Sequence, residues 1–109
     1  MNGILLPGGS GDYLELGNYI YERLIEYNAK GQYYPLWGTC LGFENMAIFA
    51  SSDGDNVLSD LVSHNSVPLS WLVDDPKEDT EMFSSFPDSL TPYTTDAMLW
   101  NSHSFGINW

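Results

Sequence analysis

The 109-residue chain has the length of one small domain, and 43% apolar residues with 15% aromatics are enough for a core. It carries 15 Asp plus Glu against three Lys plus Arg, a formal charge of −12. That excludes charge-driven binding to nucleic acid or anionic lipid, because phosphate contacts need a basic surface. No apolar run approaches the 18 residues of a membrane span, no basic start marks a signal peptide, and no N-x-S/T sequon occurs.

In chain order, Asn2 to Leu6 is short and apolar and stops at Pro7-Gly8-Gly9-Ser10-Gly11. This predicts a central parallel strand entering a tight glycine loop. No G-K-[ST] follows, so the loop is a poor phosphate loop. Ser10 or Asp12 can cap a helix from Tyr13 to Tyr27, where Leu16, Tyr19, Ile20, Leu24 and Tyr27 recur at helical spacing. Asn28-Ala29-Lys30-Gly31 reads as its stop, with Gly31 free for the cap.

The organising stretch follows. Tyr34 to Trp37 is a short apolar run and predicts a buried strand; Leu41 to Ala50 predicts a helix. Between them, Gly38 and Gly42 flank Cys40, the only cysteine, at two residues on either side. Strand, glycine, nucleophile, glycine, helix is the plan of a nucleophile elbow. The flanking glycines let strand and helix approach, and the central residue is strained so that its side chain projects. A thiol at a helix N-terminus meets unpaired amides and the positive helix end, which favour the nucleophilic thiolate. The amide of Leu41 would supply half of an oxyanion hole. A lone cysteine is also commonly a small buried apolar residue. The G-x-C-x-G pattern leaves both readings open, and the flanking elements favour the nucleophile.

A βαβ unit brings the C-terminal ends of both strands to one edge of the sheet, so the amides of Gly8, Gly9 and Ser10 would lie near Cys40. The second half is less regular. Ser51 to Asp55 reads as a loop. Val57–Leu61 and Val67–Val73 read as strands, the second interrupted by Pro68. Glu78 to Phe86 reads as a helix ending at Pro87. Ala97–Trp100 and Phe105–Trp109 read as strands around an Asn101-Ser102-His103-Ser104 turn. His64 reads as a surface residue. No Cys, His, Asp or Glu spacing matches a metal site.

Taken together, these segments resemble gamma-glutamyl hydrolase. The resemblance rests on Asn2-Gly3-Ile4-Leu5-Leu6-Pro7-Gly8-Gly9-Ser10 and on Tyr34-Pro35-Leu36-Trp37-Gly38-Thr39-Cys40-Leu41-Gly42-Phe43-Glu44. Met82 to Pro87 and Asn101-Ser102-His103 match more loosely, in the same order. The resemblance implies an α/β fold, part of a flavodoxin-like, class I glutamine amidotransferase-like three-layer architecture with parallel central strands, and a single partial domain over 1–109. It implies Cys40 as nucleophile toward folate poly-gamma-glutamate through a thioester, with the Leu41 and Gly9 amides as oxyanion hole. Gly8, Ser10 and His103 would contact substrate. It implies no cofactor, a homodimer of the intact enzyme, and a lysosomal, vacuolar or extracellular location. In the family, two βα units precede the Pro-Gly-Gly strand, and the general-base histidine follows in a Gly-x-x-x-His-Pro-Glu segment. Neither is present here, so the expectation is a piece of a larger enzyme. The alternatives are an inactive remnant that binds glutamyl ligands or a partner chain, and the glutaminase half of an amidotransferase.

Overall fold

The computed structural model describes residues 2–86 and 91–107. The chain is mixed α/β and divides into two compact units, residues 1–61 with 103–109 and residues 62–102.

The first unit is built on β1 (Ile4–Leu6) and β2 (Leu36–Gly38), which pair in parallel with Ile4 opposite Leu36, Leu5 opposite Trp37 and Leu6 opposite Gly38. Bonds from Ile4 N to Pro35 O (2.9 Å) and from Thr39 N to Leu6 O (3.1 Å) continue the ladder at both ends. A parallel pair needs a crossover; here it is α1 (Leu14–Ala29), which buries Leu24. The Asp12 carboxylate accepts from Leu14 N at 3.4 Å, as a residue near the helix start can.

The stop of α1 has a physical cause. Gly31 N donates to Asn28 O and Gln32 N to Tyr27 O, both at 3.0 Å. This paired closure requires a left-handed residue, and Gly31 supplies it at φ +78°. Asn28 then clips the chain onward: its Oδ1 accepts from Tyr34 N (2.7 Å) and its Nδ2 donates to Tyr34 O (3.3 Å). On the outer face of α1, Glu26 holds both Arg23 (2.7 Å) and Lys30 (2.6 Å).

The helix α2 (Leu41–Ala50) packs on β1 and α1. Its Gly42 faces Leu6, which is buried, and Phe49 lies against Gly17 of α1 and stacks at 5.8 Å from Tyr21.

Beyond this point three sequence expectations are corrected and one further element is found. A 3-10 turn (Gly54–Val57) leads into β3 (Leu58–Val67), one ten-residue strand where two separate strands, 57–61 and 67–73, were expected. The expected helix 78–86 is only α3 (Pro76–Asp79). Asp75 caps it by accepting from Lys77 N and Glu78 N, and the Thr80 hydroxyl donates to Pro76 O at 2.6 Å, turning the chain out of the helix. Another short helix, α4 (Thr91–Thr95), was not anticipated. The expected pair of strands around a turn is one strand, β4 (Leu99–Ile107). Pro87, Asn108 and Trp109 lie outside the described residues.

β3 and β4 form a second two-stranded sheet. Ser59 reaches Gly106 O and His103 reaches Leu61 O in the first unit, while His64 meets Ser102 in the second. Rising numbers on one strand meet falling numbers on the other, so they run antiparallel. The second unit is filled by a chain of rings: Trp71 to Phe83 at 5.1 Å, Phe83 to Phe86 at 5.0 Å and Phe86 to Tyr93 at 6.4 Å, all edge-to-face.

Candidate functional site

Parallel register builds the site. Leu6 is opposite Gly38, so the chain leaves both strands at one edge, and the residues two positions on, Gly8 and Cys40, meet. A Cβ placed on Gly8 would sit 2.8 Å from the Cys40 Cβ and 3.7 Å from its sulfur. That is closer than any side chain permits, so Gly8 is required for the approach.

Cys40 is the N-cap of α2 and is exposed. At φ 53°, ψ −118° it is the only non-glycine residue with positive φ among the described residues. Such a conformation costs on the order of 1–3 kcal/mol and persists only where the surroundings impose it. The surroundings here are Gly38 and Gly42. A Cβ on Gly38 would lie 2.6 Å from Gly42 O and from Met46 Sδ; a Cβ on Gly42 would overlap the Leu6 carbonyl. Strand and helix are therefore in backbone contact on both sides of the thiol, at a strand–turn–helix bend with Cys40 at its tip.

The amides around the sulfur are distinct. Cys40 O accepts from Phe43 N (2.9 Å) and Glu44 N (3.0 Å), and Thr39 O accepts from Gly42 N (3.0 Å). The Leu41 amide, first in the helix, has no acceptor among the described residues, nor does that of Gly9. Gly9 adopts φ +116° with open space where a side chain would be. Ser10 follows it in the same loop and is exposed. The Trp37 indole N–H donates to the Thr39 hydroxyl at 3.1 Å.

His103 is placed differently from the expectation of a tight turn. It lies mid-strand in β4, and its Nδ1 stands 2.9 Å from Leu61 O. A carbonyl only accepts, so Nδ1 carries the proton and Nε2 is the ring's remaining polar atom. Its hydrogen bond goes to β3, not to the elbow. His64, read as a surface residue, is exposed and 3.3 Å from the Ser102 hydroxyl.

One residue of the site was not singled out by the sequence. The Tyr13 hydroxyl donates to Pro7 O at 2.6 Å. Loss of solvent raises its pKa, and electrostatic repulsion from the nearby Cys40 and Glu44 positions raises it further, so the phenol stays a donor at neutral pH. No spacing rule links Tyr13 to Cys40, since the loop alone brings them together.

Among the described residues, no three His, Cys, Asp or Glu gather as a metal site, and no helix is long and apolar enough to cross a membrane.

No family model matches the sequence. Curated relatives do. Gamma-glutamyl hydrolase 1 of Arabidopsis thaliana is 32% identical over 98% of the chain, and gamma-glutamyl hydrolase B of Dictyostelium discoideum is 33% identical over 99%. Gamma-glutamyl hydrolase of Homo sapiens is 31% identical over 99%. The chain is a partial gamma-glutamyl hydrolase relative. It spans about a third of the length of these proteins: 32%, 33% and 35% respectively. The gamma-glutamyl hydrolase likeness covers the elbow, the glycine loop and His103 alike, because it runs along nearly the whole chain.

Proposed function

We propose that the protein to which this chain belongs hydrolyses gamma-glutamyl bonds of folate poly-gamma-glutamates, with Cys40 as nucleophile. The carrying observation is an exposed thiol at positive φ, set against Gly8 in a segment similar to gamma-glutamyl hydrolases. The Cys40 sulfur adds to the gamma-glutamyl carbonyl, whose oxygen takes the charge between the Leu41 and Gly9 amides. The C–N bond breaks, the amine leaves with a proton, and water hydrolyses the thioester to release glutamyl product and thiol. Gly8 and Ser10 line the substrate side, and His103 contacts a glutamyl carboxylate. The three-layer amidotransferase-like fold, a homodimer, and a lysosomal, vacuolar or extracellular location belong to the same reading.

Proton delivery to the leaving amine is worth about 10²–10⁴-fold in rate. Neither histidine of the chain bonds to the elbow, so a proton donor from outside these 109 residues is part of the proposal. Incubation with a gamma-glutamyl substrate and, separately, with iodoacetamide tests it. Alkylation at Cys40 together with turnover that Cys40→Ala abolishes supports the hydrolase. Alkylation without turnover, in a protein that includes the flanking sequence, supports a binding remnant instead. Ammonia from free glutamine would indicate a glutaminase.

A further inference from the structure

The glycine loop that faces the thiol has almost nothing to hold it. From Gly8 to Gly11, three of four residues are glycine, which lose the most freedom on ordering. Among the described residues, no hydrogen bond is made by Gly8, Gly9, Ser10 or Gly11. Yet Gly8 is within van der Waals reach of Cys40, and Gly9 is at φ +116°. Something must fix this turn.

The Tyr13 hydroxyl is placed to do so. It donates 2.6 Å to the carbonyl of Pro7, closing the loop from the first residue of α1's approach back to the end of β1. The Pro7 carbonyl and the Gly8 N–H belong to one planar peptide unit and point in opposite directions. Holding the oxygen therefore sets the direction of the Gly8 amide and the entry into the Gly8-Gly9 turn. The main chain that carries the ring is itself anchored: Tyr13 is the N-cap residue of α1, and its carbonyl accepts from Gly17 N at 2.7 Å. The clasp thus ties the mobile-by-composition loop to a sixteen-residue helix.

We propose that Tyr13 is a positioning residue whose hydroxyl, through Pro7, holds the Gly8-Gly9 turn against Cys40 in the geometry that turnover needs. This rests on the hydrolase reading above for its functional half and on the Pro7 hydrogen bond for its mechanical half.

The two halves are tested separately in Tyr13→Phe, which removes one oxygen. In the full-length protein, backbone order parameters of Gly8 and Gly9 are expected to fall from the rigid range near 0.85 to below about 0.6. Those of α1 should not change. In the full-length protein, kcat with a gamma-glutamyl substrate is expected to fall about tenfold with KM unchanged, a fraction of the 10²–10³ lost when an oxyanion donor is removed outright. Unchanged order parameters overturn the proposal, and so does a loosened loop with unaltered kcat. A variant that no longer melts cooperatively also overturns it, since the hydroxyl would then carry the fold and not the site. If the wild-type protein shows no turnover, the hydrolase reading fails while the order parameters still decide the clasp.

Discussion

The two units of the chain are held together by opposite means. Around Cys40, strand and helix touch backbone to backbone, and glycine is the only residue that fits at 8, 38 and 42. In the second unit, Trp71, Phe83, Phe86 and Tyr93 hold one another through ring edges and faces. A backbone contact cannot retreat without unpicking hydrogen bonds. A ring contact can slide. Tolerance to substitution should therefore differ sharply between the two, and the elbow is the place where the molecule has no slack.

That contrast breaks first at Gly42. Gly42→Ala is expected to cost about 3 kcal/mol or more, the upper range for overpacking, because its Cβ would overlap the Leu6 carbonyl. Urea unfolding would read this, and a loss under about 1 kcal/mol would show that the elbow can open after all. Phe83→Ala tests the other side. Full aromatic truncations cost about 3–5 kcal/mol, but Phe83 is only half-buried, so about 2 kcal/mol is expected, read on the same urea curves. Gly31→Ala should come next, at about 1 kcal/mol, for forcing a Cβ into a left-handed cap. It should leave alkylation of Cys40 untouched.

Glu26→Gln should be smallest, as expected for an exposed ion cluster. The Lys30 hydrogen bond, then the charges of Lys30 and Arg23, lower the Glu26 pKa below its ordinary 4.5. A carboxylate lowered on folding contributes above its unfolded value and loses that contribution as pH falls through the folded one. The difference between Glu26→Gln and wild type should thus be full at pH 7 and vanish as the pH drops well below 4.5. A difference that persists at acid pH would mean that charge is not its source.

The same contrast explains what the sequence disclosed. The bend at Cys40 was legible because its geometry admits so few residues: glycines two positions to either side, after a strand and before a helix, let the two backbones touch. The helix α1 was legible from its apolar spacing and the glycine that ends it. β3 was legible only at its start, Leu58 to Leu61, because Ser63, His64, Asn65 and Ser66 beyond it give no apolar alternation. Alternation appears only where one face of a sheet is buried, and β3 is mostly exposed. Met82, Phe83 and Phe86 have helical spacing, but Phe83 and Phe86 serve a ring cluster, and the Thr80 hydroxyl had already taken the Pro76 carbonyl. Tyr13 was invisible as a site residue since its partner is a main-chain oxygen, which no side-chain pattern records.

The clasp of Arg23 and Lys30 on Glu26 has an electrostatic consequence. Two of the three cations in the sequence are spent on one carboxylate at the outer face of α1, so they add little to the field at the loop that faces the thiol. An anionic ligand approaching this chain climbs a repulsive potential, and added salt, by shortening the reach of that potential to about 8 Å at physiological ionic strength, should hasten its arrival.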